Sequence, residues 1–196
     1  MIDESIVTYR LLKNFYRSDY NKQVFGIQAQ NIDAAALSMY LRNNTITYDR
    51  FISNKIDNLF FRTWGPRNTL HIYDLQYYDL LRVFNIQYGN WFEKKWNRKN
   101  PKSYSDNILL AVEICKKNSY ITRQLLIENG VSKEFVDNWG GIFIDLCQKG
   151  YLLPCIENGK TVLKCLQCNP AKRIDNIWET ICYKYFDFFG PATYKD

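Results

Sequence analysis

Two glutamines, Gln28 and Gln30, stand two positions apart in the segment Gly26-Ile27-Gln28-Ala29-Gln30. On an extended backbone, alternate side chains point to the same side, so this spacing predicts converging carboxamides, with Ala29 facing away. Asn31 follows as a favourable helix N-cap, with Asp33 in the first turn. We expect the pair just ahead of a helix N-terminus, which favours an anion and can hold a polarised water. The alternative is that both glutamines only cap or fringe a surface helix.

Hydrophobic periodicity predicts the helices that would position this pair. Residues 5–17 have an amphipathic helical pattern, and a second helix is predicted from about Asn31 to Leu41. Thr47 is an N-cap candidate for a third helix with one apolar stripe. The predicted stripe consists of Phe51, Ile52, Ile56 and Leu59.

The pattern then changes from helical to alternating. Phe60 to Trp64 and Thr69 to Tyr73 alternate on either side of Gly65-Pro66-Arg67-Asn68, which predicts a β-hairpin. Asp74 is predicted to cap a further helix with Leu75, Tyr78, Leu81 and Val83, packed on the first domain. Three helices followed by a hairpin is the order of a winged helix-turn-helix, whose third helix can enter the DNA major groove.

The second half of the chain repeats this order. A helix over 104–117 is predicted to have Ile108, Val112 and Cys115 on its buried stripe, widened by Leu109 and Leu110. Thr122 and Ser132 are predicted to start two more helices; the first ends at Gly130, and Gly140-Gly141 weakens the second. Strands at 152–156 and 161–166 flank Glu157-Asn158-Gly159-Lys160, a tight-turn sequence.

The expected fold class is therefore α+β, mainly α with small β-hairpins, built from tandem winged helix-turn-helix domains. The predicted limits are 1–100 for the first domain with a linker helix, and 101–172 for the second. A last amphipathic helix over 174–189 belongs to a connecting segment, 173–196.

Basic and aromatic residues are interleaved between 89 and 102. The segment contains Trp91, Phe92 and Trp96 among Lys94, Lys95, Arg98, Lys99 and Lys102. Such a composition can bind phosphates and stack on unpaired bases. The alternative is a solvated linker whose tryptophans pack into the core.

The formal net charge of the 196-residue chain is +6. Residues 1–100 contain 14 Lys/Arg against 9 Asp/Glu, and the remainder contains 12 against 11. The basic excess thus accompanies the glutamine segment, as suits a polyanion such as DNA. It is also common in proteins that never contact nucleic acid.

The cysteines and the single histidine restrict the chemistry. Six cysteines without a secretory signal predict reduced thiols in a cytoplasmic protein, and no membrane span is predicted. Cys165-Leu166-Gln167-Cys168 has the spacing of a zinc knuckle and Cys155 precedes it, but a fourth ligand is missing. His71, the only histidine, lies in the other predicted domain, so we expect no metal.

Four motifs together resemble one bacterial family. They are Gly26-Ile27-Gln28-Ala29-Gln30, Arg62-Thr63-Trp64, Arg67-Asn68-Thr69-Leu70-His71, and Gly190-Pro191-Ala192-Thr193 with Asp196. The chain resembles, as an N-terminal portion, the winged-helix DNA glycosylases that unhook interstrand crosslinks and excise bulky N7-alkylated purines. Asn68 stands where that family usually has Gly. Family members also continue beyond this point, so 173–196 would begin a third winged helix.

The resemblance implies roles for particular residues. Gln28 and Gln30 match the family's Gln-x-Gln or Gln-x-Asp catalytic motif. The expected partner is double-stranded DNA, without a cofactor. The predicted DNA-binding residues are Arg62, Trp64, Arg67, Thr69, His71, Lys94, Lys95, Arg98 and Lys99. The structural alternatives are an ion-paired Arg62, a core Trp64 and a hydrogen-bonded structural His71.

Two amides suit the implied reaction. An N7-alkylated purine is cationic and leaves readily, so the enzyme has to place a water and stabilise a cationic sugar. The carbonyl oxygens of Gln28 and Gln30 could do both by electrostatic preorganisation, without a charged base.

Two other functions remain open on the sequence. The chain could be a winged-helix DNA-binding protein or regulator that cleaves no bond, since fold does not fix function. Its modules could also be protein-contact surfaces.

Overall fold

Two small antiparallel sheets with their helices form the α+β architecture of the chain, as predicted. The computed structural model describes residues 8, 24–53, 59–65, 69–89, 93–95, 101–137, 141–157, 160–166 and 173–189. The strands are β1 (Phe25–Gln28), β2 (Phe60–Trp64), β3 (Leu70–Asp74), β4 (Tyr120–Ile121), β5 (Leu152–Glu157) and β6 (Lys160–Cys165). The helices are α1 (Ile32–Arg42), α2 (Tyr48–Ile52), α3 (Tyr78–Tyr88), α4 (Pro101–Lys117), α5 (Arg123–Glu128), α6 (Lys133–Asp137), α7 (Gly141–Gln148) and α8 (Ile177–Phe189).

The first sheet has the strand order β1-β3-β2. The predicted hairpin is confirmed, with Phe60 paired to Asp74 and Trp64 paired to Leu70. The glutamine segment was predicted to be extended, but not to pair. It forms β1, which pairs with β3 on the side opposite β2. This edge strand ends at Gln28.

The two faces of this sheet pack against different partners. Ile27 and Ile72 are buried on one face, in a cluster with α1 and α2. Phe61 and Tyr73 lie on the other face, in a cluster that includes Leu81 of α3. Because successive strand residues alternate between faces, Arg62 and Thr63 of β2 point in opposite directions.

Predicted helix caps explain where α1 and α2 begin. The Asn31 side chain accepts a hydrogen bond from the Ala34 amide at 2.9 Å, and Thr47 accepts one from Arg50. The stripe predicted after Thr47 is only partly correct. Phe51 is buried, but Leu59 is half exposed because it lies in the turn before β2, and Ile56 falls outside the described residues.

The prediction at Asp74 was wrong in detail. Asp74 ends β3 and makes no side-chain cap hydrogen bond to the 3₁₀ turn Leu75–Tyr77 that precedes α3. Leu75 is exposed rather than in the core, since this turn rotates it towards solvent. Leu81 and Val83 are buried as predicted.

The second unit has the equivalent strand order, β4-β6-β5. The hairpin β5-β6 was predicted, whereas the two-residue strand β4 was not. Thr122 caps α5, and Gly130 follows the end of α5 with φ of +92°. The helix predicted from Ser132 is divided into α6 and α7, on either side of residues 138–140.

The core of the second unit differs from the predicted stripe at one edge. Val112 and Cys115 of α4 are buried with Leu126 of α5 and Leu146 of α7. Leu109 is 63% exposed, because α4 turns that edge towards solvent. The predicted widening of the stripe by Leu109 and Leu110 was therefore wrong.

Helix α8 returns to the first unit. Ile181, Tyr185 and Phe188 pack against the cluster around Phe61 and Tyr73. At the start of α8, the Trp178 ring makes an edge contact with Phe84 of α3, at 4.6 Å between centroids.

Buried polar contacts join the two units. The Tyr78 hydroxyl donates to the Gly150 carbonyl at 2.9 Å, and Arg82 Nε donates to the Lys149 carbonyl at 3.1 Å. From α7, Gln148 Nε2 donates to the Gly65 carbonyl at 2.9 Å. The first sheet is thus held in position partly by the second unit.

Some predictions fall outside the described residues, namely the helix over 5–17, the turns at 66–68 and 158–159, and the segment 190–196. None of the described helices is both long enough and apolar enough to cross a membrane. Five cysteines, Cys115, Cys147, Cys155, Cys165 and Cys182, are described as free thiols.

Candidate functional site

The two glutamine side chains meet as the sequence predicted. Gln28 and Gln30 are exposed while Ala29 between them is 1% exposed. Gln28 Nε2 donates a hydrogen bond to Gln30 Oε1 at 2.6 Å. The Ala29 amide donates to the Leu70 carbonyl at 2.7 Å, which continues the β1–β3 pairing beyond Gln28 and fixes the backbone between the glutamines.

The hydrogen bond between the glutamines leaves one polar group free on each amide. In this orientation, Gln28 Oε1 and Gln30 Nε2 have no other hydrogen-bond partner in the described part of the chain. One outward acceptor and one outward donor therefore stand side by side. The arrangement lies immediately before α1, whose first-turn amides and dipole add positive potential.

A row of polar residues crosses the sheet from this pair. Gln28 of β1 is directly opposite His71 of β3, and His71 is directly opposite Thr63 of β2. Directly opposed residues on neighbouring strands share a face. The row Gln28-His71-Thr63, called here the polar row, therefore lies on a single face of the first sheet.

The His71 ring is held by its own strand. His71 Nδ1 lies 2.7 Å from the Thr69 carbonyl oxygen. A carbonyl can only accept, so Nδ1 carries a proton in this arrangement. Gly65 makes room for this ring: a Cβ there would lie 2.8 Å from His71 Nδ1 and 2.7 Å from the Tyr73 hydroxyl.

The polar row and the glutamine pair line one cavity of about 1100 Å³. Its walls come from three parts of the chain: the first unit, α7 of the second unit, and α8. The first unit contributes among others Gln28, Gln30, Asn31, Ser38, Arg42, Thr63, Trp64, Gly65 and His71. The others include Cys147 and Gln148 from α7 and Trp178, Ile181, Tyr185, Phe188 and Phe189 from α8.

The cavity has an aromatic side and a cationic side. The rings of α8 face Phe25 and Tyr73 of the sheet, and Gly26, with φ of +95°, lets the Phe189 ring approach β1. Arg42 lies over the Phe188 ring at 5.9 Å and donates to the Ser38 carbonyl at 2.9 Å. Burial lowers the pKa of Arg42, but a guanidinium remains charged near neutral pH.

The predicted DNA-binding residues divide into several groups. Trp64 and His71 line the cavity, and Thr69 is half-buried beside His71. Lys94 is exposed and Lys95 half-buried, in a helical stretch at 93–95. Arg67, Arg98 and Lys99 lie outside the described residues.

Arg62 departs from its predicted role. It is 8% exposed, and its Nη2 donates to Thr161 Oγ1 of β6 at 3.0 Å. Its position on β2 turns it away from the polar row and towards the second unit. The phosphate contact predicted for Arg62 is therefore corrected to a contact between the two units.

Arg42 and Gln148 are among the polar residues of the cavity wall that sequence reasoning missed. Arg42 is the last residue of α1 and looked like an ordinary helix-end cation. Gln148 ends α7, where a polar residue normally faces solvent, yet it is 3% exposed. Only the packing of α7 against β2 brings Gln148 to Gly65, so no local signal in the sequence could have found it.

A buried charge cluster lies beside the cavity, between α4, α7 and residues 93–95. Lys149 Nζ lies 3.1 Å from Asp145 Oδ1 and 3.1 Å from Glu93 Oε2, and Asp145 is fully buried. The Tyr104 hydroxyl donates to Asp145 Oδ2 at 2.7 Å. Burial opposes the charge on Lys149, but the two carboxylates raise its pKa.

No group of three or more His, Cys, Asp or Glu side chains in the described ranges is arranged to hold a metal ion. Of the zinc-knuckle cysteines, Cys155 and Cys165 lie on β5 and β6, and Cys168 falls outside those ranges. Cys165 packs against the core of the second unit, which includes the buried Cys115.

Comparison with known proteins gives two similar proteins. The chain is 23% identical, over 197 residues, to an interstrand DNA cross-link repair glycosylase from Streptomyces sahachiroi, covering 90% of this chain and 52% of that protein. It also superposes on the solved structure of the S. sahachiroi DNA glycosylase AlkZ with a TM-score of 0.70. That match has 21% identity and covers 96% of this chain and 57% of the other. No family model matches.

The resemblance predicted from the motifs is confirmed. At this level of identity the superposition shows a shared fold. The chain spans about half the length of the relatives it matches.

Proposed function

We propose that the chain is the part of a monofunctional DNA glycosylase that contains the active site. In this proposal it excises bulky N7-alkylated purines or unhooks interstrand crosslinks, with Gln28 and Gln30 as the catalytic pair. The main supporting observation is the hydrogen bond of 2.6 Å between the two amides, at the edge of the large cavity and ahead of α1.

Two structural units suit duplex binding. Each has a first strand, then short helices, then a hairpin that pairs with the first strand in a three-stranded sheet, and we interpret each as a winged helix-turn-helix. The name of the similar S. sahachiroi protein states interstrand cross-link repair, which agrees with a DNA substrate.

The orientation of the pair refines the mechanism. Because Gln28 Nε2 is engaged by Gln30, Gln28 Oε1 is the outward acceptor. It can accept a hydrogen bond from the attacking water and direct its negative dipole end towards the cationic sugar. Gln30 holds the Gln28 amide in this orientation, and its outward Nε2 group can donate to a sugar or phosphate oxygen. Neither residue has to remove a proton before the bond breaks.

The DNA contacts belong to the surface around the cavity mouth. Trp64 borders the cavity and remains partly exposed, but it lies on the same face of β2 as Arg62 and packs against the core of the second unit. Arg42 is a cation in the same wall, and the exposed Lys94 adds positive charge for the phosphate backbone.

The test is single-turnover release of 7-methylguanine from alkylated duplex DNA by the wild-type chain, Gln28→Ala and Gln30→Ala. We expect each substitution to reduce the rate by at least about 100-fold, while duplex affinity changes by less than about threefold, because the amides act mainly in the transition state. Gln124→Ala on the exposed surface of α5 is the matched control.

Two results would contradict the proposal. One is a rate of 7-methylguanine release that is the same for the wild-type chain, Gln28→Ala and Gln30→Ala. The other is duplex binding without base release by the wild-type chain, which would favour the non-catalytic DNA-binding protein.

A further inference from the structure

Three aromatic rings at the end of α8 form part of the cavity wall. They are Tyr185, Phe188 and Phe189, called here the ring cluster. The Phe189 ring lies 4.7 Å from the Tyr185 ring and 4.9 Å from the Phe188 ring, between centroids. All three residues line the cavity, and none of them is fully buried. The ring cluster therefore offers aromatic surface to a molecule in the cavity.

The ring cluster contacts the strand that carries the first glutamine. A Cβ at Gly26 would lie 3.6 Å from Cζ of Phe189, so this ring rests directly against β1. Gly26 and Gln28 are separated by at most about 7 Å, because two residues of extended chain reach no further. The Phe189 ring is thus close to the backbone that presents the glutamine pair.

The ring cluster and the polar row lie on the same face of the first sheet. His71 of the polar row and Tyr73 are two residues apart on β3, so their side chains share a face. Their ring centroids are 6.0 Å apart. Tyr185 and Phe188 pack against the cluster that contains Tyr73. A molecule beside Gln28 therefore has polar groups along one side and the rings of α8 along another.

The size and charge of the cavity restrict what the ring cluster can bind. The volume of about 1100 Å³ is at the top of the range for small-molecule sites, about 300–1,000 Å³, and exceeds what a purine base alone needs. The described residues that line the cavity include Arg42 and Arg82 but neither Asp nor Glu. Arg42 stands over the Phe188 ring. These walls suit a flat aromatic group without positive charge.

The chemistry of a damaged purine places such a group at the right end of the molecule. N7 belongs to the same five-membered ring as N9, the atom joined to the sugar. A substituent on N7 therefore begins close to the glycosidic bond. With the sugar at Gln28, the substituent is near the part of β1 that Phe189 contacts. The polar edges of the base are then left for the polar row.

We propose that the ring cluster is the subsite for the N7 substituent of the damaged purine, and that it favours flat, uncharged aromatic substituents over a methyl group. The substituent packs against the Phe189 and Tyr185 rings. These two residues determine specificity and take no part in breaking the bond. The inference rests on the proposed function, because it assigns one part of that substrate to α8.

Equilibrium binding to damaged duplex DNA tests the subsite without requiring catalysis. The probes are two duplexes that each contain one 2′-fluoro guanine nucleotide, alkylated at N7 by methyl in one and by benzyl in the other. The fluorine slows loss of the base because it disfavours a cationic sugar. The wild-type chain should bind the benzyl duplex about tenfold more tightly, as expected for one added aromatic contact.

Substitutions on α8 test which rings are responsible. Phe189→Leu and Tyr185→Leu each remove a ring but keep an apolar side chain, so each should reduce the benzyl preference to about threefold or less. The preference is a ratio of two affinities, and a purely structural role would weaken binding to both duplexes equally. The matched control is Tyr183→Leu, because Tyr183 is 66% exposed on the same helix and does not line the cavity. This control should keep the wild-type preference.

Two results would overturn the subsite. One is equal affinity of the wild-type chain for the methyl and benzyl duplexes. The other is a benzyl preference that remains at the wild-type value in both Phe189→Leu and Tyr185→Leu. Unfolding midpoints in urea establish that each variant is folded when its affinities are measured.

Base release from the corresponding 2′-deoxy duplexes distinguishes this inference from the proposed function. A benzyl preference that depends on Phe189, without release of either base, would keep the subsite and reject the glycosylase. Release of 7-methylguanine that depends on Gln28, without any benzyl preference in binding, would keep the glycosylase and reject the subsite.

Discussion

Gln28 and His71 lie directly opposite each other on β1 and β3. This pairing gives the first glutamine its direction, because β3 is the one neighbour of β1 among the described strands of the sheet. A slip of β1 by one residue would turn Gln28 to the other face of the sheet and bring the Ile27 side chain to the face of the polar row. The Ala29 amide, bonded to the Leu70 carbonyl, opposes such a slip.

The two glutamines should respond differently to conservative change. Gln30→Glu keeps an acceptor for Gln28 Nε2 and strengthens that bond through its charge, so at least about a tenth of the wild-type rate of base release should remain. Gln28→Met removes both the bond and the outward carbonyl, and should cost about 100-fold or more. Single-turnover release of 7-methylguanine measures both, and equal losses would contradict the assigned orientation.

Glycines that follow two helices of the second unit offer a matched stability test. Gly130 and Gly150 both have positive φ, +92° and +82°. A Cβ at Gly130 would meet Leu110 at 3.7 Å, an ordinary contact, whereas one at Gly150 would lie 2.5 Å from Arg82 Cδ. Gly130→Ala should therefore lower the free energy of unfolding by about 1 kcal/mol, from backbone strain alone.

Gly150→Ala should cost about 3 kcal/mol or more, because it also displaces Arg82 and Tyr78 from their bonds between the units. Urea unfolding measures both variants. Equal losses of unfolding free energy would show that the close contact with Arg82 at Gly150 adds nothing to the strain of the positive φ.

The charge cluster around Lys149 should make stability depend on pH after one substitution. Lys149→Met removes the cation 3.1 Å from the buried Asp145 and should lower the free energy of unfolding by about 3–5 kcal/mol at pH 7. Burial already raises the pKa of Asp145, and losing Lys149 raises it further. Protonation then favours the folded state, so the penalty should shrink as the pH falls towards this raised pKa.

The direction of this pH dependence follows from the linkage between proton binding and folding. A carboxyl whose pKa is raised on folding stabilises the fold below its unfolded-state pKa, and loses that contribution as the pH rises through the folded-state pKa. Urea unfolding at pH 7 and pH 5 measures the effect. The control is Lys116→Met, which removes an exposed ion pair with Glu113 and should change neither value measurably. A penalty that is the same at both pH values would contradict the assignment.

Substitutions of Arg62 and Lys94 should distinguish a residue that stabilises the fold from one that binds DNA. Arg62→Gln disrupts a buried contact with Thr161, so it should lower the free energy of unfolding by about 1–3 kcal/mol and leave the salt dependence of duplex binding unchanged. Lys94→Gln should leave stability unchanged and reduce the slope of log affinity against log salt by about 1.

Duplex titrations at two salt concentrations measure these slopes. The wild-type chain should bind with little sequence preference and lose affinity at higher salt, since phosphate contacts dominate. Binding that ignores salt would contradict the predicted interface.

The sequence was informative where local chemistry decides structure. Alternation placed Gln28 and Gln30 on one side, Asn31 and Thr47 begin their helices as expected, and turn residues indicated both hairpins. These features depend on neighbours within a few residues, so they can be predicted from a single sequence.

What remained hidden depends on contacts between distant segments. Strands β1 and β4 are too short to be recognised without the partner strand that each one joins. The basic character of Arg62 favoured a surface role, and only the second unit explains its burial. The same holds for Gln148, whose bond to Gly65 joins residues 83 positions apart.

The division of the cavity wall among three parts of the chain has an evolutionary consequence. The polar row and the glutamine pair belong to the first sheet, whereas Gln148 comes from α7 and much of the aromatic wall comes from α8. Mutations in α7 and α8 can therefore change which molecules fit while the sheet keeps its geometry. In the proposed glycosylase, substrate range can therefore diversify between lineages while the glutamine pair stays the same.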